Sequence, residues 1–308
     1  MFSLLAPAKI NLFLKVLYQR PDGYHEIESL MQAVSLFDRL TFSPASKIIV
    51  QTRGAKIAQK DNLVTKALLL LQKYAGIKKG LRVVIDKNIP TAAGLGGGSS
   101  DAATALLGAC RLWQIPLSLS ELSYLGAQIG SDVPFFFTSG QALAAGRGEK
   151  LAPLSFPTDY FLVLACPKFH ISTPWAYQEL KLGLTNSKSK ANFFRRRIGE
   201  NLRRPPHALT FSNDLEAPVI RRFPEVERIK EALLAKGLEP VLMSGSGPAV
   251  WAALKTGAEG NKLPTNERRQ RKMVEKKLVR LRRIFEAEFF IVRPIRTCLN
   301  IPVGGQPA

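Results

Sequence analysis

The amino-acid sequence predicts an α+β protein with two domains, 1–155 and 156–308. The chain of 308 residues is long enough to build two hydrophobic cores. Strand-like and helix-like segments mix along it without the regular alternation of a doubly wound sheet. A new β pattern begins with Asp159 to Pro167. This change of pattern places the predicted domain boundary near residue 155.

The N-terminal half begins with a predicted β-hairpin. Ser3 to Leu17 has the pattern of a first strand, and Ile27 to Leu36 that of its partner. The segment Pro21-Asp22-Gly23 between them is a strong turn signal, because proline fixes φ and glycine tolerates positive φ. Leu40 to Val50 is a further strand candidate.

Helices and one more strand are predicted in the rest of this half. Asn62 to Tyr74 has apolar residues at helical spacing, and Gly76 follows directly as a C-terminal cap. Three more elements are predicted: a strand at Leu81 to Ile85 and helices at about Ser100 to Trp113 and at Leu119 to Ile129.

The C-terminal half has the same mixed pattern. Helices are predicted at Trp175 to Leu180, Leu215 to Ile220 and Val226 to Lys236, and strands at Ala249 to Leu254 and Phe289 to Val292. The segment before the last strand has apolar residues at helical spacing with basic residues between them. These apolar positions are Met273, Leu278, Leu281 and Phe285. We therefore predict an amphipathic helix with a solvated basic face.

The composition excludes several classes of protein. It is 46% hydrophobic and 22% charged, and no apolar run approaches the roughly 20 residues that cross a bilayer. The N-terminus lacks the basic region of a signal peptide, so we expect a cytoplasmic protein. Three scattered cysteines and three scattered histidines argue against a disulfide framework and a His/Cys metal site. Any metal is expected to arrive with a nucleotide.

The net charge of +20 makes nucleic-acid binding an alternative function. The charge is concentrated in Asn261 to Arg296, which has twelve Lys and Arg against four Glu, and in the clusters Arg195-Arg196-Arg197 and Arg203-Arg204. No binding motif or pattern of stacking aromatics accompanies it. A basic field also attracts polyanionic nucleotides. We therefore expect no nucleic-acid partner. Separately, we expect the protein to be a monomer or weak dimer.

A glycine-rich stretch between a strand and a helix carries the first functional signal. It runs from Pro90 to Ala103 and reads PTAAGLGGGSSDAA. Its glycines leave the backbone unobstructed, and Ser99, Ser100 and Asp101 are expected to supply the N-cap of the helix. Open amides at a helix N-terminus suit a phosphate. The stretch lacks the lysine of a P-loop and the third glycine of a dinucleotide fingerprint.

Two further motifs connect this loop to a known family. They are APAKINL at Ala6 to Leu12 and the second glycine loop MSGSGP at Met243 to Pro248. Together the three motifs resemble the GHMP kinases, named for galacto-, homoserine, mevalonate and phosphomevalonate kinases. Three more segments resemble the branch that acts on 4-diphosphocytidyl-2-C-methyl-D-erythritol in the non-mevalonate isoprenoid pathway. They are Arg20 to His25, Gly130 to Phe135 and Asn213 to Glu216.

The resemblance extends from residue 3 to about residue 255, and Asn261 to Lys277 departs from the family pattern. It implies a two-domain GHMP kinase fold, with an N-terminal domain like ribosomal protein S5 domain 2 and a ferredoxin-like C-terminal domain. It implies ATP with Mg²⁺ and phosphorylation of the 2-hydroxyl of the acceptor. It also explains the missing P-loop lysine, which this family lacks. The implied ATP-binding residues are Pro90, Ala92, Gly94, Leu95, Gly96, Gly97, Gly98, Ser99, Ser100 and, near adenine, Asn62.

The expected catalytic pair is Lys9 and Asp132, which match the family's lysine and aspartate. Asp132 follows a helix end beside Pro134, and a carboxylate held there can take the proton of an attacking hydroxyl. A lysine beside it keeps the carboxylate ionised and helps to orient the hydroxyl. Two roles for Asp132 stay open, proton acceptance and orientation of the hydroxyl. Either Ser99 or Ser100 is expected to meet the magnesium of ATP.

The remaining expected residues bind the acceptor. Asn11 shares a strand face with Lys9 and matches the family residue that contacts the methylerythritol end. Tyr24 and His25 are implied to stack on cytosine and bond its edge. Tyr177 is implied to cover the other face of the base, with Trp175 as the competing choice. The loop of Gly245, Ser246 and Gly247 is expected to close the acceptor side. The nearest alternatives, mevalonate kinase and diphosphomevalonate decarboxylase, have no use for a cytosine clamp.

Overall fold

The part of the chain that the structure describes forms two β-sheets, each with its own helices. The computed structural model describes residues 1–55, 58, 61–158, 160–180, 211–254 and 267–298. Asp159, at the start of the β pattern predicted for the second half, lies outside these ranges, and so do the clusters Arg195-Arg196-Arg197 and Arg203-Arg204.

The first sheet has six strands. They are β1 (Phe2–Gln19), β2 (His25–Ala45), β3 (Ile48–Arg53), β4 (Gly80–Asp86), β5 (Gln141–Gly146) and β6 (Lys150–Pro153). Their order is β3-β4-β2-β5-β6, and β1 pairs with β2. Only β3 and β4 are parallel among these pairs. The predicted hairpin is therefore confirmed, and both of its strands are longer than expected.

The long strand β2 organises this sheet. It pairs with β1 along almost its whole length, with β4 through 39–45 and with β5 through 27–32. The pairing of β1 with β2 shifts register at three places, and irregularities of this kind bend and twist a strand. The strand predicted at Leu40 to Val50 is confirmed in part, because most of its residues are extended but they belong to two different strands. Its first part continues β2, and after a short break its last part belongs to β3.

Among the elements that the structure describes, three α-helices and a 3₁₀ helix accompany the first sheet. They are α1 (Leu63–Ala75), α2 (Gly97–Trp113), α3 (Leu119–Ile129) and the 3₁₀ helix Val133–Phe137. Gly76 ends α1 in the left-handed conformation, as predicted. Ser118 and Glu121 form a capping box at the start of α3. The helices and the sheet share one apolar core, which includes Phe42, Leu68, Leu106 and Phe135.

The second sheet is a four-stranded antiparallel sheet. Its strands are β7 (Leu162–Pro167), β8 (Leu238–Met243), β9 (Val250–Leu254) and β10 (Ala287–Val292), in the order β10-β7-β9-β8. Helices α4 (Thr173–Gln178), α5 (Glu216–Arg222) and α6 (Glu225–Leu234) lie between β7 and β8 in the chain, and α7 (Glu267–Ile284) between β9 and β10. This is the ferredoxin-like arrangement that was expected.

In the second half, the sequence analysis predicted helix α7 but not strand β8. Strand β8 was missed, because Pro240 interrupts its pattern and the pairing with β9 shifts register beside it. The amphipathic helix is confirmed as α7. Val274, Leu278 and Leu281 are buried in the core of the second sheet.

A third apolar cluster joins the two sheets. It combines Ile10 and Leu95 from the first half with Leu164 and Trp251 from the second. The indole nitrogen of Trp251 donates to the Asn11 carbonyl at 2.9 Å. Strand β6 ends at Pro153 and β7 begins at Leu162, so the division at residue 155 remains our proposal. In the described part of the chain, no helix is long and apolar enough to span a membrane.

Candidate active site

Lys9 is the buried centre of the candidate site. It lies in β1, and only 4% of the residue is exposed. Its ammonium nitrogen donates to Asn11 Oδ1 at 2.8 Å and to the Gly94 carbonyl at 3.1 Å, and it lies 3.3 Å from Asp132 Oδ2. An ammonium has three protons to donate. Lys9 therefore holds a strand residue, the glycine loop and a carboxylate in one arrangement.

Asp132 reaches this centre from the turn after α3. It occupies the N-cap position of the 3₁₀ helix, whose first turn contains Pro134. The Val133 amide donates to the Gly130 carbonyl at 3.1 Å and closes the turn. The Asp132 side chain is 33% exposed, in contrast to its buried partner Lys9. A carboxylate with one side paired and one side open can receive a hydroxyl group from a bound molecule.

The glycine loop needs glycine at two positions that face this centre. Gly94 and Gly96 have φ values of +78° and +68°. A Cβ on Gly94 would overlap the Ser244 carbonyl oxygen, and one on Gly96 would lie 2.9 Å from Lys9 Cγ. The loop therefore packs against both the lysine strand and the second glycine loop.

Helix α2 begins at Gly97, three residues earlier than predicted, and its N-cap is Gly96. The expectation that Ser99, Ser100 and Asp101 cap the helix is wrong, because all three lie inside it, with Asp101 beyond the first turn, and no side chain caps it. The Ser100 amide already bonds to the Gly96 carbonyl. The amides 96–99 remain without acceptors in the helix, at its positive end. This geometry is suited to an anion.

The side chains expected to contact ATP are only partly accessible. Ser99 is partly exposed, and a Cβ on Gly130 would lie 4.0 Å from its hydroxyl oxygen. Ser100 is fully buried, so its hydroxyl is not open to a phosphate or a metal, contrary to expectation. Leu95 is also buried, and its carbonyl accepts the Lys9 amide at 2.9 Å. Pro90 is partly exposed, and Ala92 is exposed.

The second glycine loop is bonded to the same centre. Ser244 Oγ donates to the Gly94 carbonyl at 3.0 Å and accepts the Asn11 amide at 3.2 Å. A Cβ on Gly245 would lie 3.1 Å from Asn11 Oδ1 and 3.5 Å from Lys9 Nζ. The sequence analysis named the loop but not the Ser244 hydroxyl, whose bonds bring the two glycine loops together.

Further polar contacts hold the second loop from behind. The side-chain amide of Asn213 donates to the carbonyls of Met243 and Gly245 at 2.9 and 2.7 Å. The hydroxyls of Ser246 and Thr173 are 2.8 Å apart, and a Cβ on Gly247 would approach Met243 Sδ to 2.5 Å. The loop is therefore fixed between the start of α4 and the core of the second sheet.

An aromatic pair borders the site on the other side of Asp132. His25 and Tyr177 stack with ring centroids 5.1 Å apart and an angle of 27°. Burial lowers the pKa of His25, so the imidazole is mostly neutral near pH 7. Burial raises the pKa of Tyr177, and the charge of Asp132 raises it further. Both rings therefore offer neutral hydrogen-bonding groups.

The other candidate aromatics occupy different positions. Tyr24 is 54% exposed, and the guanidinium carbon of Arg147 lies 4.8 Å above its ring centroid. Trp175, the competing choice to Tyr177, instead packs edge-on against Phe223 at 5.5 Å. The structure therefore favours Tyr177 over Trp175 beside His25.

Asn62 has a structural role in the fold. Its side-chain oxygen accepts the Val64 amide at 3.0 Å and caps α1. Its side-chain nitrogen lies 3.4 Å from the Thr52 hydroxyl, and the residue is 7% exposed. The prediction that Asn62 lies beside adenine has no further support from these contacts.

A buried charged cluster beneath the glycine loop was missed in the sequence. The Lys87 ammonium pairs with Asp38 Oδ2 and, at 2.7 Å, with Asp101 Oδ2. Asp38 Oδ1 also accepts the amides of Asn88 and Ile89, at 2.6 and 2.9 Å. Burial raises the pKa of Asp101 to about 7, and Lys87 opposes that rise. We call Asp38, Lys87 and Asp101 the buried triad.

A cavity of about 440 Å³ lies along the entry to the glycine loop. Lys87, Asn88, Ile89, Pro90 and Thr91 line one side, and the ends of β3, β7 and β10 line the others. A nucleotide bound at the amides of α2 could extend into this cavity.

No group of three or more His, Cys, Asp or Glu that could hold a metal ion occurs among the described residues.

The chain matches two family models. The model of the GHMP kinase N-terminal domain matches residues 62–140, and that of the GHMP kinase C-terminal domain matches residues 192–265. A relative from Thermodesulfovibrio yellowstonii, named 4-diphosphocytidyl-2-C-methyl-D-erythritol kinase, is 43% identical over 85% of this chain and 93% of its own. A relative of the same name from Listeria welshimeri is 42% identical over 82% of this chain and 87% of its own.

Solved structures have the same fold. A crystal structure of 4-(cytidine 5'-diphospho)-2C-methyl-D-erythritol kinase matches with a TM-score of 0.70 and 34% identity, over 94% of this chain and 99% of that one. Homoserine kinase from Cytophaga hutchinsonii matches with a TM-score of 0.71 and 16% identity over 96% of both chains, which shows the fold alone. The fold and both glycine loops define a GHMP kinase. This chain belongs, within the GHMP kinases, to the family of 4-diphosphocytidyl-2-C-methyl-D-erythritol kinases.

Proposed function

We propose that this kinase transfers the γ-phosphoryl group of ATP to the 2-hydroxyl of 4-diphosphocytidyl-2-C-methyl-D-erythritol. The ion pair between Lys9 and Asp132 carries the proposal, because it lies where β1 and the two glycine loops meet. Phosphoryl transfer depends on positioning and on stabilisation of charge. A fixed ammonium beside an accessible carboxylate supplies both.

Asp132 is the proposed acceptor of the hydroxyl proton. Its open side allows the 2-hydroxyl to donate a hydrogen bond to it, and this bond fixes the direction of the attacking oxygen. Lys9 holds the carboxylate in place and faces the negative charge that develops during transfer. Asn11 keeps the ammonium directed into the site by accepting one of its protons.

The amides at the start of α2 are the proposed site of the ATP phosphates. Gly96, Gly97, Gly98 and Ser99 present free N–H groups at the positive end of the helix. The donor set fits a magnesium ion held mainly by the phosphates of ATP, with the Ser99 hydroxyl as the protein group that could meet it. Bound there, Mg²⁺ neutralises phosphate charge. The adjoining cavity is the proposed place for the adenosine.

The aromatic groups are the proposed cytidine site. The free face of the exposed Tyr24 ring can stack on cytosine. Neutral His25 has one donor and one acceptor nitrogen for the edge of the base. Tyr177 fixes the plane of His25 by stacking on it. The loop of Gly245, Ser246 and Gly247 then closes the polyol end.

We propose a monomer or weak dimer as the active form. No step requires a nucleic-acid partner, so the basic charge has no assigned part in the reaction. We also propose a cytoplasmic location, where ATP is available.

The test is a phosphoryl-transfer assay with ATP and three acceptors: 4-diphosphocytidyl-2-C-methyl-D-erythritol, mevalonate and homoserine. We expect turnover of the first alone and competitive inhibition by CDP. Asp132→Asn should lower kcat at least about 100-fold and leave ATP binding intact, because only the reacting hydroxyl loses its partner. Glu275→Gln, which removes one carboxylate from the exposed face of α7, is the matched control. Near-normal turnover by Asp132→Asn would overturn the catalytic assignment, and phosphorylation of mevalonate or homoserine instead would overturn the acceptor.

A further inference from the structure

The turn between β5 and β6 lies between the two ends of the proposed acceptor site. At one end, the guanidinium carbon of Arg147 lies 4.8 Å from the Tyr24 ring centroid. At the other end, a Cβ on the next residue, Gly148, would lie 3.9 Å from Asp132 Oδ1 and 3.8 Å from Ser131 Cβ. A single short turn therefore connects the surroundings of the cytidine site with those of the catalytic carboxylate.

This turn is held firmly by hydrogen bonds. The Gly146 amide donates to Glu26 Oε1 at 3.0 Å, directly beside His25 in β2. The Arg147 amide donates to Glu149 Oε2 at 2.6 Å, and the Gly148 amide to the Ala145 carbonyl at 3.1 Å. These bonds fix the backbone from which the Arg147 side chain extends.

The Arg147 guanidinium keeps its donors available. In the described ranges, it makes no ion pair within 4 Å and no side-chain hydrogen bond, although Asp22 is near enough to interact with it electrostatically. Asp22 has closer contacts of its own, with the Arg20 side chain at 3.2 Å and with the Tyr24 amide at 3.1 Å. Arg147 is therefore a partly exposed cation whose guanidinium lies over the Tyr24 ring and whose N–H groups have no acceptor among the described residues.

We propose that Arg147 binds the diphosphate of the acceptor and so selects a nucleoside-diphosphate substrate. This inference rests on the proposed function. The diphosphate joins the cytidine to the polyol whose hydroxyl must reach Asp132, so it has to cross the gap between Tyr24 and Asp132. The Arg147 turn occupies that gap. A guanidinium binds phosphate oxygens through two parallel hydrogen bonds, whereas an ammonium acts as a point charge.

Arg147 could alternatively act only through Tyr24, by holding the ring in place for cytosine. The two roles differ in which ligands they affect. A group that binds the diphosphate affects CDP strongly, CMP less and cytidine not at all. A group that only supports Tyr24 affects all three ligands equally, because each contains the same base.

The experiment measures the Kd of CDP, CMP and cytidine by titration calorimetry for the wild type, Arg147→Gln, Arg147→Lys and Arg82→Gln. Arg82 is an exposed arginine of β4, bonded to Gln51, and serves as the matched control. We expect Arg147→Gln to weaken CDP binding about 10- to 100-fold and to leave cytidine binding unchanged. Arg147→Lys should be intermediate, and Arg82→Gln should match the wild type.

Steady-state kinetics give an independent readout. Arg147→Gln should raise the KM for the acceptor, with little change in the KM for ATP. Equal losses for CDP, CMP and cytidine would overturn the proposal in favour of support for Tyr24, and unchanged CDP binding would overturn it altogether. In both cases a wild type that phosphorylates the acceptor leaves the proposed function standing. A wild type that neither binds CDP nor phosphorylates the acceptor would instead overturn the proposed function itself.

Discussion

At the scale of single residues, Gly94 connects the two glycine loops. Its φ of +78° is unfavourable for other residues, and a Cβ there would overlap the Ser244 carbonyl oxygen. Its own carbonyl accepts hydrogen bonds from Lys9 and from Ser244. Glycine is therefore required at this position by the fold, before any nucleotide is bound.

We predict that Gly94→Ala destabilises the protein by several kcal/mol, because it combines backbone strain with a clash against another backbone atom. The melting temperature should fall by about 5 °C or more. Gly98→Ala is the matched control for stability. Gly98 lies inside α2, and a Cβ there would have only Leu63 Cδ1 within 4 Å, at 3.8 Å. The melting temperature of Gly98→Ala should equal that of the wild type or exceed it slightly, because alanine has a higher helix propensity than glycine. Equal melting temperatures for the two variants would contradict this account.

At the scale of elements, the buried triad fixes both ends of the glycine loop. The segment that enters the loop contains Lys87 and the two amides, of Asn88 and Ile89, that donate to Asp38. The helix that follows the loop contains Asp101, which accepts from Lys87. A Cβ on Gly97 would lie 3.4 Å from the Lys87 ammonium. The triad therefore supports the free amides of α2 from below.

The triad predicts a specific dependence of stability on pH. The pKa of Asp101 is raised to about 7 in the folded protein, where Lys87 and Asp38 both face it, and is about 3.9 when unfolded. The folded state therefore keeps a proton that the unfolded state releases between these values. The contribution of Asp101 to the free energy of unfolding falls as pH rises through this window, by at most about 1.4 kcal/mol per pH unit.

Urea denaturation between pH 5 and pH 7.5 checks this prediction. Asp101→Asn cannot titrate but keeps an oxygen that can accept from Lys87, so its stability should decline less with pH than that of the wild type. Asp86→Asn removes a partly exposed carboxylate at the end of β4 and should keep the wild-type slope. Parallel curves for the wild type and Asp101→Asn would show that Asp101 is already ionised across this range.

The sequence predicted local signals well and long-range pairings poorly. The turn at Pro21-Asp22-Gly23, the end of α1 at Gly76 and the apolar stripe of α7 all depend on residues close together in the chain. The triad joins residues 38, 87 and 101, and no short motif contains them. The available signal was Asp38, an aspartate between the apolar residues Leu36 and Leu40. The start of α2 was misplaced because Gly96 caps it by conformation alone.

In the candidate site too, residues within short motifs were predicted and residues placed by long-range pairing were not. Lys9 and Asp132 were found because each lies in a motif of its own, and the structure brings them to 3.3 Å. Arg147 was missed, because its position over Tyr24 depends on the pairing of β5 with β2, which sequence patterns do not reveal. Ser100 was misjudged, since its exposure depends on the turn of α2 in which it lies.

At the scale of the whole molecule, the two sheets are joined by a shared core and by backbone contacts. The Trp251 indole donates to the Asn11 carbonyl, the Ala249 backbone amide to the Ala93 carbonyl, and the Gln32 side-chain amide to the Ile295 carbonyl. Each contact crosses between the two proposed domains. Their separation would expose the apolar cluster and leave these buried polar groups without partners, which is costly.

We therefore predict that the described halves unfold together, in a single calorimetric transition. Trp251→Phe removes the indole hydrogen bond at the shared core. Trp113→Phe removes a hydrogen bond inside the first half, from the indole in α2 to the Gly80 carbonyl in β4 at 3.2 Å. If the molecule is one cooperative unit, both substitutions shift the same single peak, by about 5 °C each. Two peaks, with Trp113→Phe moving only one of them, would show that the first sheet unfolds independently. The same coupling predicts that residues 1–155 expressed alone will not give a sharp transition, because Ile10, Leu12 and Leu95 would lose the apolar partners that bury them.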